Sequence, residues 1–351
     1  MRIVVLGTGS FGVPLLAWLL DSPHTVPALV TRPTPPPKGR EKAPVNPMRQ
    51  LAESRNLPVF APQSVNLPPG QALLANLAPD LLVVCDYGEI LSADTLAIAP
   101  LGGINLHASL LPKYRGAAPI QWALYHGESE TGVSVIHMTP RLDAGPILAV
   151  RHTPIGAEET HPELEARLAE LGVGAVEEAL RQLQTWDRTS PLGTPQDARL
   201  ASRAPRLRKQ HGEVDWSRTA EQIRNQVRAF KPWPGTYTFW HRSGHPPLRI
   251  VLDRVSVLGR GVRAAARVTG WPAHAAQAAP HEKHSDAAEA SDGYHPGEVI
   301  VSDGKQLIVA TGEGALSLLA VAPAGKRHMA IDEFLRGYRV REGDRLGPAP
   351  Q

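Results

Sequence analysis

Residues Gly103 to Gly116 read Gly-Ile-Asn-Leu-His-Ala-Ser-Leu-Leu-Pro-Lys-Tyr-Arg-Gly. An apolar strand runs out here into Asn105 and His107, and a strand's period of two puts both side chains on one face. A Ser-Leu-Leu-Pro turn and a basic loop ending in Gly116 follow directly. Upstream, Ile3 to Leu6, Val26 to Val30 and Leu81 to Cys85 form further short apolar runs. Phe11 to Leu20, Pro47 to Arg55 and Gln71 to Leu77 between them have amphipathic helix character. Such alternation predicts a mainly parallel sheet with crossover helices, an α/β domain in which functional side chains collect outside the strand ends.

The chemistry of the Gly103 strand follows from its two polar residues. An amide can donate to a developing oxyanion, and an imidazole beside it can move a proton, which is equipment for acyl transfer. Downstream, the β-branched run Val133 to Met138 leads into Leu142-Asp143-Ala144-Gly145, and the chain returns along Pro146 to Val150. Asp143 therefore also lies at a strand exit and is expected to face His107. The alternative is an aspartate that only stabilises its own turn. Asn105, His107 and Asp143 are the candidate catalytic residues.

Composition sets broad limits. The chain has 351 residues and 42% hydrophobic residues, enough for two domains with sizeable cores. Cys85 is the only cysteine, so no internal disulfide can form. Its apolar neighbours predict a buried structural thiol. A strand begins at Ile3, which leaves no room for a leader peptide, and no run is long enough to span a bilayer; a cytoplasmic location is expected. Charge divides unevenly. Through Pro205 there are 16 Lys and Arg against 19 Asp and Glu, and beyond it 21 against 15. The net of +6 on the later part suggests a polyanionic partner, against the alternative of a domain that is merely basic.

Residues 1–188 are predicted to form the catalytic domain, closed by a helix that starts at a Thr160–Glu163 capping box and runs to about Gln184. Pro191, Pro195 and Pro205 punctuate a stretch without periodicity, and residues 189–208 are read as a linker. Residues 209–345 open with a helix capped by Thr219. Short strands follow at Thr236 to Trp240, Leu248 to Leu258, Glu298 to Val301, Gln306 to Thr311 and Ala315 to Val321, a pattern that suggests a small barrel. A last helix, Ile331 to Arg336, precedes a polar tail. Within this part, residues 264–294 are alanine- and histidine-rich with little apolar patterning and are read as a mobile surface insertion. Their histidines are irregularly spaced, and no metal site is expected.

Gly7-Thr-Gly9-Ser-Phe-Gly12 matches a dinucleotide fingerprint at the junction of the first strand and helix. The acidic residue that should close the second strand is missing, since the chain reads Val30-Thr31-Arg32 there. Arg32 could favour a 2′-phosphate, so an NADP-binding oxidoreductase stays open. The preferred reading makes Gly7 and Gly9 tight-turn residues. Arg32 to Lys42 holds four basic residues, one acid and four prolines, and can be neither helix nor strand. Such a semi-extended loop can follow a phosphate backbone, or can simply be a solvated surface loop.

Asn105-Leu-His107, Ser109-Leu110-Leu111-Pro112, Arg115-Gly-Ala-Ala-Pro-Ile-Gln121 and Leu142-Asp143-Ala-Gly145 together resemble the folate-dependent formyltransferases. Tyr87-Gly88, Trp233-Pro234 and Pro323-Ala-Gly-Lys326 extend the likeness towards the branch that formylates methionine carried by initiator tRNA. The resemblance implies a Rossmann-like domain followed by an OB-like barrel that binds tRNA. It implies 10-formyltetrahydrofolate as formyl donor, methionyl-initiator tRNA as acceptor, no metal, and a monomer. Ser109, Leu110, Leu111, Pro112, Tyr87 and Gly88 would line the folate pocket, and Arg32, Lys38, Arg40 and Lys42 would reach the tRNA. Asp86 departs from the pattern, since relatives carry a small apolar residue at that place. Other members of such a family would formylate a small-molecule amine or hydrolyse the formylated folate.

Overall fold

A computed structural model describes residues 1–36, 45–242, 244–258 and 293–349. Lys38, Arg40 and Lys42, and nearly all of the 264–294 segment, lie outside the described residues. The chain divides into two compact units, one of residues 1–123 with 128–206, the other of residues 124–127 with 207–351.

The first unit is built on a seven-stranded sheet. Its strands are β1 (Ile3–Gly7), β2 (Leu29–Val30), β3 (Val59–Phe60), β4 (Leu81–Cys85), β5 (Gly103–His107), β6 (Glu130–His137) and β7 (Ile147–Pro154). Their order is β3-β2-β1-β4-β5-β6-β7, and pairing is parallel up to β5 and antiparallel from β5 to β7. β1 and β4 are buried along their whole length, as continuous apolar strands covered on both faces must be. The order reverses between β1 and β4, so the open sheet has a crevice at their carboxyl ends.

Helices α1 (Val13–Asp21), α2 (Pro47–Ser54), α3 (Pro68–Asn76), α4 (Ala93–Leu96), α5 (Pro119–His126) and α6 (His161–Thr185) accompany the sheet. Pro162 sits in the first turn of α6, and Thr160 N–H donates to Glu163 Oε2 at 2.8 Å, the reciprocal cap expected from the sequence. Buried Leu164, Leu168, Val176 and Leu180 give α6 an apolar stripe, and the helix packs on β6, β7 and α1.

The stretch 189–206, read from sequence as connecting chain, packs as part of this unit. Thr194 exchanges two backbone hydrogen bonds of 2.8 Å with Ile147, and Arg115 and Ala204 pair at 2.7 Å. Trp122 Nε1 donates to Pro205 O at 2.8 Å. Its prolines interrupt helix and strand periodicity, yet these bonds hold the stretch against the unit although most of its residues are exposed.

The second unit opens with α7 (Ala220–Ala229), whose Thr219 cap accepts from Gln222 N–H at 3.2 Å. Strands β8 (Thr236–His241), β9 (Leu248–Leu258), β10 (Val299–Ser302), β11 (Leu307–Ala310), β12 (Ala315–Pro323), β13 (Met329–Ala330) and β14 (Arg345–Gly347) follow, with α8 (Ile331–Gly337) before the last. The antiparallel order is β10-β11-β12-β9-β8-β14. A bridge between Glu298 and Arg345 brings the two ends of that order together, giving a nearly closed, OB-like barrel. Trp216, Ile223, Leu252, Val309, Leu316 and Phe334 fill its interior. The closing strand β14 lies in what the sequence presents as a polar tail, because three residues carry too little apolar pattern to be seen. Among the described residues, no helix is long and apolar enough to cross a membrane.

Candidate active site

The carboxyl ends of β4, β5 and β6 and the turn after β6 enclose a cavity of about 430 Å³ in the first unit. Asn105, His107 and Asp143 all line it. β5 supplies the first two from one face, as their spacing requires. β6 runs antiparallel to β5, with His137 opposite Ile104 and Ser134 opposite His107, so β6 ends beside the start of β5 and the loop of residues 138–146 carries Asp143 back to His107.

His107 is buried, with 6% of its surface exposed. Its Nε2 lies 2.9 Å from Tyr114 O. A carbonyl can only accept, so Nε2 carries the hydrogen and Nδ1 is the nitrogen left to face Asp143. Asp143 Oδ2 stands 3.8 Å from that Nδ1, too long for a direct hydrogen bond but close enough for an ion pair when the ring is doubly protonated. The same oxygen accepts from Gly116 N–H at 2.8 Å. Asp143 takes a left-handed backbone, φ 47°, which aims its side chain back across the cavity. The Asn105 side chain bonds to no protein group among the described residues, so its amide hydrogens are available to a guest.

The remaining sequence candidates fall into distinct places. Tyr87 and Gly88 line the cavity. Burial, and then Glu89, push the Tyr87 phenol up to about 12, while Arg32, 5.9 Å over the ring, offsets part of this. Ser109, Leu110, Leu111 and Pro112 do not form part of the cavity lining. They back His107 instead. Ser134 Oγ donates to Ser109 O at 2.7 Å and accepts from Leu111 N–H at 3.1 Å, and Ser109 Oγ donates to Lys113 O at 2.7 Å. These bonds set the turn that presents Tyr114 O to the imidazole. Arg32 is tied to the cavity wall by an ion pair with Glu89 and a 3.2 Å bond to Gln63 O.

Among the lining residues given no role from sequence are His161, Glu165 and Arg206, and Gln121, which was quoted only as the end of a motif. The Gln121 amide lies 2.8 Å from His161 Nε2, Glu165 Oε2 lies 3.3 Å from the same nitrogen, and Ser10 Oγ donates to Glu165. A signal existed, because His161, Leu164, Glu165 and Leu168 follow helical spacing and place two polar groups along an apolar stripe. Asp86, at φ 50°, opens onto the same cavity. The protein packed around it, and then Glu165, push its carboxyl up to about 6, with Arg206 pulling the other way.

The glycine-rich turn also differs from expectation. Gly9 has an ordinary φ of −86° and Gly12 of −83°, so backbone strain is not the reason for glycine. Close approach is. A Cβ on Gly9 would lie 1.7 Å from Asp86 Oδ2, and one on Gly7 would lie 2.6 Å from Cys85 O. The Asp86 carboxylate occupies the approach to Gly9 that a dinucleotide pyrophosphate would need, which argues against the NADP reading. Among the described residues, no group of three or more His, Cys, Asp or Glu could hold a metal ion.

Comparison with known proteins identifies the family. The formyl transferase family profile matches residues 1–180, and the profile of the formyl transferase C-terminal domain matches residues 206–339. A methionyl-tRNA formyltransferase of Rhodopirellula baltica is 45% identical over 99% of this chain and 96% of its own length. One from Geobacter sulfurreducens is 36% identical over 99% and 98%. Among solved structures, WlaRD, a sugar 3N-formyl transferase, superposes with a TM-score of 0.58 at 13% identity, over 93% of this chain and 99% of its own. HypX from Aquifex aeolicus in complex with tetrahydrofolic acid gives 0.57 at 17% identity, over 95% of this chain but about half (47%) of the HypX chain. At such identities the likeness is one of fold.

Proposed function

The chain belongs to the formyl transferase family, to which its methionyl-tRNA formyltransferase relatives also belong, and we propose that it transfers the formyl group of 10-formyltetrahydrofolate to the amino group of methionyl-initiator tRNA. The single observation that carries the mechanism is the convergence of the Asn105 amide, His107 Nδ1 and the Asp143 carboxylate on one cavity.

An α-amino group titrates at about 7.7–8.0, so a useful fraction attacks as the free base near neutrality. Attack on the formyl carbon gives a tetrahedral centre bearing an oxyanion and a still protonated amine. Asn105 donates to the oxyanion. The amine passes its extra proton to Asp143, directly or through a water. Nε2–H of His107 is held by Tyr114 O, so Nδ1 is the ring atom that exchanges a proton with the reacting groups. Nδ1 takes that proton on from Asp143 and delivers it to the folate nitrogen as the carbon–nitrogen bond breaks, and the collapse releases tetrahydrofolate and the formylated amine.

Tyr87 and Gly88 form one wall of the folate site in this reading, and the Ser109–Leu110–Leu111–Pro112 turn serves that site by holding His107 from behind. Arg32, Lys38, Arg40 and Lys42 belong to the tRNA-contacting segment, and the basic barrel unit binds the tRNA body as a monomer in the cytoplasm. Incubation with charged initiator tRNA and 10-formyltetrahydrofolate, followed by mass spectrometry of the released aminoacyl group, tests the proposal. One added formyl group on methionine is expected. Free formate without tRNA would identify a hydrolase, and formylation confined to small amines would identify a different acceptor; either contradicts the proposal.

A further inference from the structure

We propose that Gln196 is a positioning residue for the transfer, a clamp that fixes the backbone of the Asp143 turn against the loop carrying Arg115 and Gly116. Its Nε2 donates to two carbonyls of that turn, Asp143 O at 2.9 Å and Gly145 O at 2.7 Å. Its Oε1 accepts from Arg115 Nε at 3.1 Å and Arg115 Nη2 at 2.6 Å. Both donors and the acceptor of one amide are thus used at once. Only an amide side chain carries both functions, since a carboxylate would lose the donors and an ammonium the acceptor.

The two loops joined in this way are the two that define Asp143. Its carboxylate hangs from Gly116 N–H, the residue after Arg115, at 2.8 Å. Its backbone sits in the left-handed region at φ 47°, a conformation that surrounding bonds must impose on a residue other than glycine. Gln196 bonds the carbonyl of that residue and the carbonyl two residues on. Backbone bonds tie the chain down on either side of Gln196. Thr194 is bonded twice to Ile147, Ser202 O accepts from Arg115 N–H at 2.9 Å, and Ala204 N–H donates to Arg115 O at 2.7 Å. A misplacement of about 1 Å costs up to two orders of magnitude when a group must be held in reacting geometry.

The inference rests on the formyl-transfer reading for its kinetic consequence, and two readouts keep the two separable. Gln196→Glu keeps the acceptor for Arg115 and removes both donors to the turn; Gln196→Ala removes everything. For Gln196→Glu we expect kcat to fall about 10- to 100-fold per active site, with the KM for folate within about threefold and the melting temperature close to that of the parent. Unchanged kcat, or a loss explained wholly by less folded protein, would overturn the proposal. A crystal structure of Gln196→Glu reads the clamp without any assay. Asp143 Oδ2 should move away from His107 Nδ1, and an unmoved turn would overturn the proposal. A parent protein inactive towards charged tRNA would defeat the acceptor assignment, and that crystal structure would still decide the clamp.

Discussion

Asp143 Oδ2 accepts the Gly116 N–H at 2.8 Å and stands 3.8 Å from His107 Nδ1, so one carboxylate oxygen joins the loop after β5 to the imidazole at its end. In the proposed reaction this arrangement gives Asp143 a fixed position from which to accept a proton, beyond any part it plays in its own turn.

Gly116 should tolerate no side chain. Its φ of +129° is unfavourable for any other residue, and a Cβ would lie 2.4 Å from Ala204 O. Gly116→Ala is expected to lose about 1–3 kcal/mol of stability and to displace the N–H that holds Asp143, lowering kcat as well. Thermal melting and steady-state kinetics on the purified variant check both effects. A variant with parental kcat would detach this hydrogen bond from catalysis.

Asn105 should matter for rate rather than for folding. Its side chain is half-buried and bonds to nothing in the protein among the described residues, so Asn105→Ala should leave the melting temperature nearly unchanged. Removal of one oxyanion donor lowers kcat roughly 100- to 1,000-fold. Single-turnover rates with saturating folate measure this. A loss confined to KM would instead make Asn105 a binding group.

Gly9 and Asp86 should be coupled. Gly9→Ala forces the Asp86 carboxylate from its place and is expected to cost about 1–3 kcal/mol. Asp86→Gly fits the local φ of 50° and removes the obstacle, so the double variant should recover most of that loss. Additive destabilisation in a double-mutant cycle would show that the two residues do not meet.

Asp86 also predicts a pH effect. Its carboxyl is held at about 6 in the folded protein, above its ordinary unfolded value of about 3.9. Between those values the folded state binds the extra proton, so this group's contribution to stability declines as pH rises through the window and is fully lost above it. Asp86→Asn escapes the penalty. The melting temperature of the variant relative to the parent should therefore be higher at about pH 7 than at about pH 4. An equal difference at both pH values would contradict the environment described for Asp86.

Much of the fold is visible in the chain because β1, β4 and β5 are apolar runs, and because Thr160 and Thr219 announce their helices. The candidate trio is legible for a similar reason, since Asn105 and His107 lie at the end of the β5 pattern and Asp143 in the turn that follows β6. What is hidden depends on contacts between distant segments. Gln196 lies in a proline-punctuated stretch, and its partners are loop backbone that no periodicity marks. Gly9 looks like a turn glycine, but it is required by a carboxylate arriving from β4. Ser109 to Pro112 look like pocket lining by position, whereas hydrogen bonds to Ser134 turn them towards the support of His107. β14 closes the barrel with three residues, too few to announce a strand.

The most direct test is the single-turnover rate of formyl transfer to charged initiator tRNA by Asp143→Asn, which keeps the size and the acceptor for Gly116 N–H but removes the base. The account predicts a rate lower by about 100-fold or more, with folate binding and melting temperature preserved. Turnover near that of the parent would mean that the carboxylate facing His107 is not part of the chemistry.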